Sequence, residues 1–273
     1  MSVGAINNPT AFSVYTNYAA SSTNLSKSMT RLATGVKSVA DDGAGVGISE
    51  RMRSQARSTA MARNNVENGV SALQTADSWM QRINDMLGRM HELAIESNDA
   101  TKTNTDRTNI QSEFSQLQSE IVRIVDGAAK FNGKGLLNGS TNAATQVGAD
   151  SGQTITLSVE NLSAIVDSMS ATSANTVSTA AKAATAITAA QTAINTVAQA
   201  RAKVGGLQSR LEHTRSGLLT YEDNIRSAES KIRDVDMARE SSEMTKQQIL
   251  SQVGNAMLAQ ANQMPGGVLQ LLG

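Results

Sequence analysis

Residues 190–235 read AQTAINTVAQARAKVGGLQSRLEHTRSGLLTYEDNIRSAESKIRDV, and their spacing decides the fold. Ala190, Val197, Val204, Leu211, Leu218, Ile225 and Ile232 recur every seven residues, and Ala193, Ala200, Leu207, Thr214, Tyr221, Ala228 and Val235 follow them three residues later. Such a heptad lays one apolar stripe along a long helix and requires a second helix to cover it. As helix the run spans about 70 Å at 1.5 Å per residue. Gly205-Gly206 weakens one turn by about 1–2 kcal/mol without moving the register.

Similar seams run on either side of it. Near the N-terminus Tyr15, Tyr18, Ser22, Leu25, Met29, Leu32, Val36 and Val39 alternate steps of three and four, and near the C-terminus Leu250, Val253, Met257, Ala261, Met264 and Val268 do the same. These two stripes are of similar length, and isolated amphipathic helices are marginal in water. The two ends of the chain are therefore expected to pair, with Leu25, Met29, Leu32, Val36, Leu250, Val253, Met257 and Met264 as an assembly seam whose remaining apolar surface is covered by further copies. Between them stand two more helices. One starts near Ile48 and runs to about Ser97, with its seam at Leu73, Ala76, Met80, Ile83, Leu87, Met90 and Ala94; the other follows Ile110, Phe114, Leu117, Ile121, Ile124 and Ala128, with Asn104 or Asp106 as candidate N-caps.

Breaks in the pattern divide the chain. Gly43, Gly45 and Gly47, after Asp41-Asp42, are expected to stop the first helix and form a flexible joint, because three glycines in five residues hold a helix poorly. A second joint is expected around Arg233-Asp234-Val235-Asp236. Thr154 to Val159 alternates strictly, and with Val147 across a Gly-rich turn it predicts a β-hairpin. From Asn161 to Ala200 only Asp167 and Lys182 are charged, and the first half of that stretch reads as a low-complexity loop. The expected fold is mainly α: long heptad-patterned helices in an antiparallel, coiled-coil-like bundle with one small β-hairpin. The expected divisions are 1–40, 41–160, a short linker at 161–185, 186–232 and 233–273.

Composition narrows the function. The chain has 273 residues, 24 basic and 24 acidic side chains, no cysteine, two prolines and seven Phe, Tyr and Trp in all. Balanced charge supplies no field for nucleic acid. The missing cysteines exclude disulfides, thiolate metal sites and a thiol nucleophile. No run approaches the roughly 18 apolar residues of a membrane span. The first charged residue is Lys27, so the opening lacks the basic start of a secretory signal; a cytoplasmic chain, or one exported with its N-terminus uncleaved, is expected.

No constellation of catalytic type emerges. His91 and His213 lie beside seam positions, and their nearest carboxylates, Glu92 and Glu212, are immediate neighbours that face elsewhere on a helix. Asp41-Asp42 lacks the alternating oxygen ligands of a calcium loop, and the glycines beside it are not a phosphate fingerprint. No catalytic, cofactor or metal residue is assigned. Asn138-Gly139-Ser140 and Asn161-Leu162-Ser163 match the N-glycosylation pattern, which an Asn- and Ser-rich chain produces by chance.

In order, these elements resemble bacterial flagellin. The resemblance rests on SMTRLATGVKSVADDGAGVG (28–47), NNVENGVSALQTADSWMQRINDMLGRMHELAIES (64–97), AAKFNGKGLL (128–137) and NIRSAESKIRDVDMARESSEMTKQQILSQVGNAMLAQANQMPGGVLQLLG (224–273), and it covers all but about 161–185. It implies a filament subunit, not an enzyme, whose terminal helices form an inner coiled-coil layer and whose middle helices form the next. The short 161–185 stretch would stand where longer family members carry outer domains. Implied too are an extracellular place in the flagellum, export through its type III apparatus, and partners in an export chaperone, a cap protein and hook-associated junction proteins. Arg89, Leu93 and Glu113 resemble the family's surface read by Toll-like receptor 5. The alternative is a hook-filament junction protein of the same superfamily, which the ending LAQANQMPGGVLQLLG resembles less closely. An enzyme carried in an insert is the third class, and forty residues with two charges leave no room for it.

Overall fold

The computed structural model describes residues 9–139, 142–170 and 176–271, with side chains described except at 142, 167–170 and 264–271. In chain order it contains α1 (Pro9–Thr34), α2 (Gly43–Asn98), α3 (Asn104–Arg123), β1 (Lys130–Phe131), β2 (Lys134–Gly135), β3 (Asn142–Gln146), β4 (Thr154–Ser158), α4 (Ser163–Ser170), α5 (Ala180–Arg233) and α6 (Met237–Leu271). The mainly α class expected from the heptads is what forms. Two compact units divide the chain: residues 1–54 with 224–273, and residues 55–223.

The second unit holds the core. All seven α2 seam residues from Leu73 to Ala94 are buried at 1 % exposure or less. Ile110, Phe114 and Ile121 of α3 and Ala183, Ala186, Ala193, Val197, Ala200, Val204 and Leu211 of α5 complete one cluster with them. At about 25 cal/mol per Å2, burial of such aliphatic side chains is worth roughly 1.5–3 kcal/mol each. Helix α2 approaches α5 and β4 so closely at Gly69 that an added Cβ would sit 3.4 Å from Leu211 and 3.5 Å from Leu157. Arg201 fixes the pair from the surface, its Nε donating to Asp77 Oδ1 at 2.7 Å.

The α5 seam holds through Gly205-Gly206, which face outward, and then slips by one position. Leu211 is buried, but the next deep position is Glu222, not Tyr221, which is 44 % exposed. An α-helix has 3.6 residues per turn, so a strict seven-residue repeat drifts about 20° per heptad on a straight helix. The eleven-residue step from 211 to 222 resets the stripe. Arg63 meets the buried Glu222 at 3.5 Å, and Tyr221 accepts a hydrogen bond from Gln55 at 2.5 Å.

Three local expectations are corrected. Helix α3 is capped one residue earlier than expected: Thr103 is the N-cap, and Asp106 is its capping-box partner at the third helical position. The helix then runs into a π-helical turn, Ile124–Ala128. The described strands form two hairpins where one was expected. β1 and β2 pair around Asn132 (φ 49°) and Gly133 (φ 79°), two left-handed residues that match the sheet's twist. The expected hairpin joins β3 to β4 in antiparallel register, Ala144 opposite Thr156, with Ile155 and Leu157 turned into the core. Val147 follows β3, its N–H donating to the Gln153 carbonyl at 2.8 Å.

The stretch read as a low-complexity loop carries structure. Residues 163–170 form α4, and Leu162, Ile165 and Val166 dock it on the core. Val177 is buried as well, its N–H donating to Gln111 Oε1 at 2.5 Å and its carbonyl accepting from the Ser97 hydroxyl. Within the expected linker of 161–185, residues 171–175 lie outside the described residues, and α5 already begins at Ala180.

The first unit is built by α1 and α6, which pack on each other, so the two ends of the chain pair as the seam lengths suggested. Arg31 meets Glu240 at one level, and Gly254 faces Tyr18 at another, so the helices run antiparallel. A Cβ on Gly254 would stand 3.2 Å from the Tyr18 ring, which explains the small residue there.

Candidate assembly interface

The face that α1 turns to α6 is not quite the expected seam. Tyr18, Leu25 and Leu32 are half-buried in it, but their companions are Ala11, Val14, Ser21 and Ser28. Met29 and Tyr15 are exposed, at 56 % and 57 %. Val36 lies beyond the helix end and is half-buried. On α6 the facing row is Glu240, Met244, Gln247, Ser251, Gly254, Leu258 and Ala261. Leu250, Val253 and Met257, expected in the seam, are 43 %, 52 % and 52 % exposed. Met264 lies on α6, with its side chain outside the described residues.

Each terminal helix therefore carries two stripes. The one used within the chain mixes Val14, Tyr18, Leu25, Leu32, Met244 and Leu258 with small or polar residues such as Ser21, Ser28, Gln247, Ser251 and Gly254. The other is apolar and open: Phe12, Tyr15 and Met29 on α1, and Ile249, Leu250, Val253 and Met257 on α6. Phe12 and Ile249 were not singled out in the sequence, although Phe12 precedes Tyr15 by three residues and continues its row. On α6 these residues stand together, whereas on α1 the exposed Ala19, Ser22 and Ser26 separate Tyr15 from Met29; exposed apolar surface such as that of α6 marks an interaction site.

Where the chain crosses out of α1 and back into α6, the two connections are tied together. Gly35 turns with φ 72°, and Val36 forms a single antiparallel bridge with Asp234. Lys37 N–H donates to the Arg233 carbonyl at 2.9 Å, and Val235 N–H to the Gly35 carbonyl at 3.1 Å. Arg31 sits over the joint, with Nη2 donating to Asp41 Oδ1 at 2.6 Å and Nη1 to Glu240 Oε1 at 3.4 Å. The Ser38 N–H and hydroxyl donate to Asp41 Oδ2 at 3.0 and 2.8 Å. The Arg31 bond, then the two Ser38 bonds, hold the Asp41 carboxyl well below the usual carboxylate range. Asp41 raises the Arg31 guanidinium in return.

The glycine joint is a correction. Gly43, Gly45 and Gly47 do not stop a helix; they lie in the first turns of α2. Asp42 precedes them as a cap: its carboxylate accepts from Gly45 N–H at 2.7 Å, and its carbonyl from Val46 N–H at 3.0 Å. The cap outweighs the low helix propensity of glycine. It also explains Gly45, because a Cβ there would fall 2.2 Å from Asp42 Oδ2, while one on Gly47 meets nothing within 4 Å. Gly45→Ala is expected to displace the cap and destabilise the start of α2 by about 1 kcal/mol. Gly47→Ala is expected to stabilise it by up to about 1 kcal/mol. Hydrogen exchange at the Val46 amide in the two variants reads the opposite signs; equal effects would show that the cap has no such role. At the second joint Asp236 caps α6, its Oδ1 accepting from the Ala238 and Arg239 amides at 3.0 and 3.1 Å.

The residues suggested for receptor recognition are placed in the second unit. Arg89 Nε donates to Glu113 Oε1 at 2.9 Å across two helices, and both side chains are about half exposed. Leu93 is corrected: at 2 % exposure it belongs to the core beside Met90 and Ala94 and presents no contact surface. Among the described residues no group of three or more His, Asp or Glu stands where a metal could be held, and no helix is long and apolar enough to cross a membrane. His91 is half-buried and His213 exposed.

Residues 6–142 match the family model described as the bacterial flagellin N-terminal helical region, and residues 187–272 match the bacterial flagellin C-terminal helical region. A flagellin of Halalkalibacterium halodurans is 39 % identical over 251 residues, which cover 90 % of this chain and 91 % of that protein. The flagellar filament 33 kDa core protein of Treponema phagedenis is 37 % identical, covering 92 % and 93 %. The crystal structure of Bacillus cereus flagellin superposes with a TM-score of 0.52 at 28 % identity, covering 57 % of this chain and 88 % of that one.

Proposed function

The chain belongs to the bacterial flagellin family, and we propose that it polymerises through the second, open stripe of its terminal helix pair. It is a structural subunit of the bacterial flagellar filament, an extracellular appendage used for motility. The observation that carries the assembly reading is the division of labour on α1 and α6. Their mixed apolar and small faces meet inside the subunit, while Phe12, Tyr15, Met29, Leu250, Val253 and Met257 are left in water. Exposed apolar residues of this size gain by burial against further copies, and repetition of one heterologous contact builds an open helical polymer.

The crossing at Arg31, Asp41 and Asp234 acts in this reading as a firm joint between the stripe-bearing pair and the start of α2. The remaining family partners come with the same proposal: export through the flagellar type III apparatus with a chaperone, growth beneath a cap protein, and anchoring on hook-associated junction proteins. Toll-like receptor 5 would read Arg89 and Glu113.

Purified subunit added to short, sheared filament seeds tests the assembly reading. Negative-stain microscopy is expected to show seeds lengthening into long filaments. Persistent monomers at concentrations where a relative's flagellin grows would overturn it.

A further inference from the structure

The chain has 12 methionines, and the structure sorts those whose side chains are described by what oxidation could reach. Met80 and Met90 are sealed in the core at 0 % and 1 % exposure. Met29, Met61, Met237 and Met257 are exposed, at 56 %, 61 %, 52 % and 52 %. Two of these four, Met29 on α1 and Met257 on α6, lie within the open apolar stripes. With no cysteine in the chain, thioethers are the soft sulfur groups an oxidant meets.

We propose that Met29 and Met257 are oxidation sites whose sulfoxide form bars the subunit from the filament, so that an oxidant acts on subunits before assembly and not after it. The inference rests on the assembly reading above. The oxidant is hydrogen peroxide or another two-electron oxygen donor. An S–O bond forms at Sδ as the O–O bond breaks; the sulfur gives up two electrons, the peroxide is reduced, and water leaves. The product replaces a flexible apolar side chain with a polar, chiral one. In the free subunit the new oxygen points into solvent at little cost, so helix pairing survives. In the filament it would be buried in the apolar stripe without a designed donor, which penalises assembly alone. Packing there also keeps peroxide from the sulfur once the filament has formed.

The test uses full-length subunit treated with hydrogen peroxide, quenched, mapped by mass spectrometry and offered to seeds. Oxidised wild type is expected to show sulfoxide at 29 and 257, unchanged helicity, and a critical concentration raised about tenfold or more. The Met29→Leu/Met257→Leu double variant, close in volume, is expected to keep assembling after the same treatment. Met61→Leu should protect nothing. Methionine sulfoxide reductases should restore the oxidised wild type, and preformed filaments should resist modification at 29 and 257. Loss of assembly in the oxidised double variant, or normal assembly of wild type carrying both sulfoxides, overturns the inference while leaving the assembly reading intact. Failure of unoxidised wild type to extend seeds overturns the assembly reading and this inference with it.

Discussion

Val253→Asp is expected to abolish filament growth while leaving the subunit folded. Val253 is 52 % exposed in the subunit and points away from the row that α6 packs on α1, so a carboxylate there stays hydrated in the monomer. In the filament the same carboxylate would be buried in an apolar stripe, at a cost of several kcal/mol per subunit contact. Growth from seeds, followed by light scattering, should require at least a hundredfold more protein, and helicity and thermal midpoint of the monomer should match wild type. Leu32→Asp makes the contrast. Leu32 is half-buried against α6, so its change should loosen the helix pair before any copy arrives. Seeds that grow normally with Val253→Asp would remove this row from the interface and with it the assembly reading.

The difference between these two variants marks the limit of what the sequence made legible. In α2, α3 and most of α5 each helix has one apolar stripe, and its partner lies in the same chain. Periodicity alone then names the buried residues, and the seven seam residues Leu73, Ala76, Met80, Ile83, Leu87, Met90 and Ala94 are all buried. In α1 and α6 two stripes share one helix. Tyr18, Leu25 and Leu32 belong to the inner face, but Tyr15, Met29, Leu250 and Val253 belong to the outer one, and heptad spacing has no means of saying which stripe meets which partner. Burial in a second copy writes the same pattern as burial at home. Hydrophobicity does not separate them either, because the inner row interleaves Tyr18, Leu25 and Leu32 with Ser21, Ser28, Ser251 and Gly254.

Local signals failed for other reasons. The glycines 43, 45 and 47 predict a break only if propensity is summed without the cap, and Asp42 supplies that cap. Leu162, Ile165 and Val166 already had helical spacing, hidden by the Ala, Ser and Thr around them. Leu93, carried over from a resemblance as a surface residue, stands three residues from Met90 and next to Ala94, so the α2 seam itself argued for burial.

Arg31→Ala is expected to have the second large effect, on the joint and not on the stripes. The Asp41 and Glu240 side chains are only 7 % and 12 % exposed, and Arg31 is the cation that faces both. Removing it leaves two mostly buried carboxylates without that partner, at a cost of about 2 kcal/mol, discounted from a fully buried pair because Arg31 itself is 29 % exposed. That loss should reach the backbone bridge beneath it. Exchange of the Lys37 and Val235 amides is expected to accelerate roughly 30-fold, the equivalent of 2 kcal/mol at 1.36 kcal/mol per decade, while Leu87 in the core keeps its protection. The pH dependence has a fixed sign. The Asp41 carboxyl is held below its ordinary range, so its contribution is complete above the unfolded value near pH 3.9 and drains away as pH falls from there toward the depressed folded value. Wild type should therefore lose the protection of these two amides progressively below about pH 4, and Asp41→Asn, without a charge to titrate, should lack the Asp41 part of that loss. A bridge equally protected in Arg31→Ala would mean that the backbone bonds Lys37–Arg233 and Val235–Gly35 hold the joint by themselves. The ion pair would then serve only to orient Asp41 for the Ser38 turn.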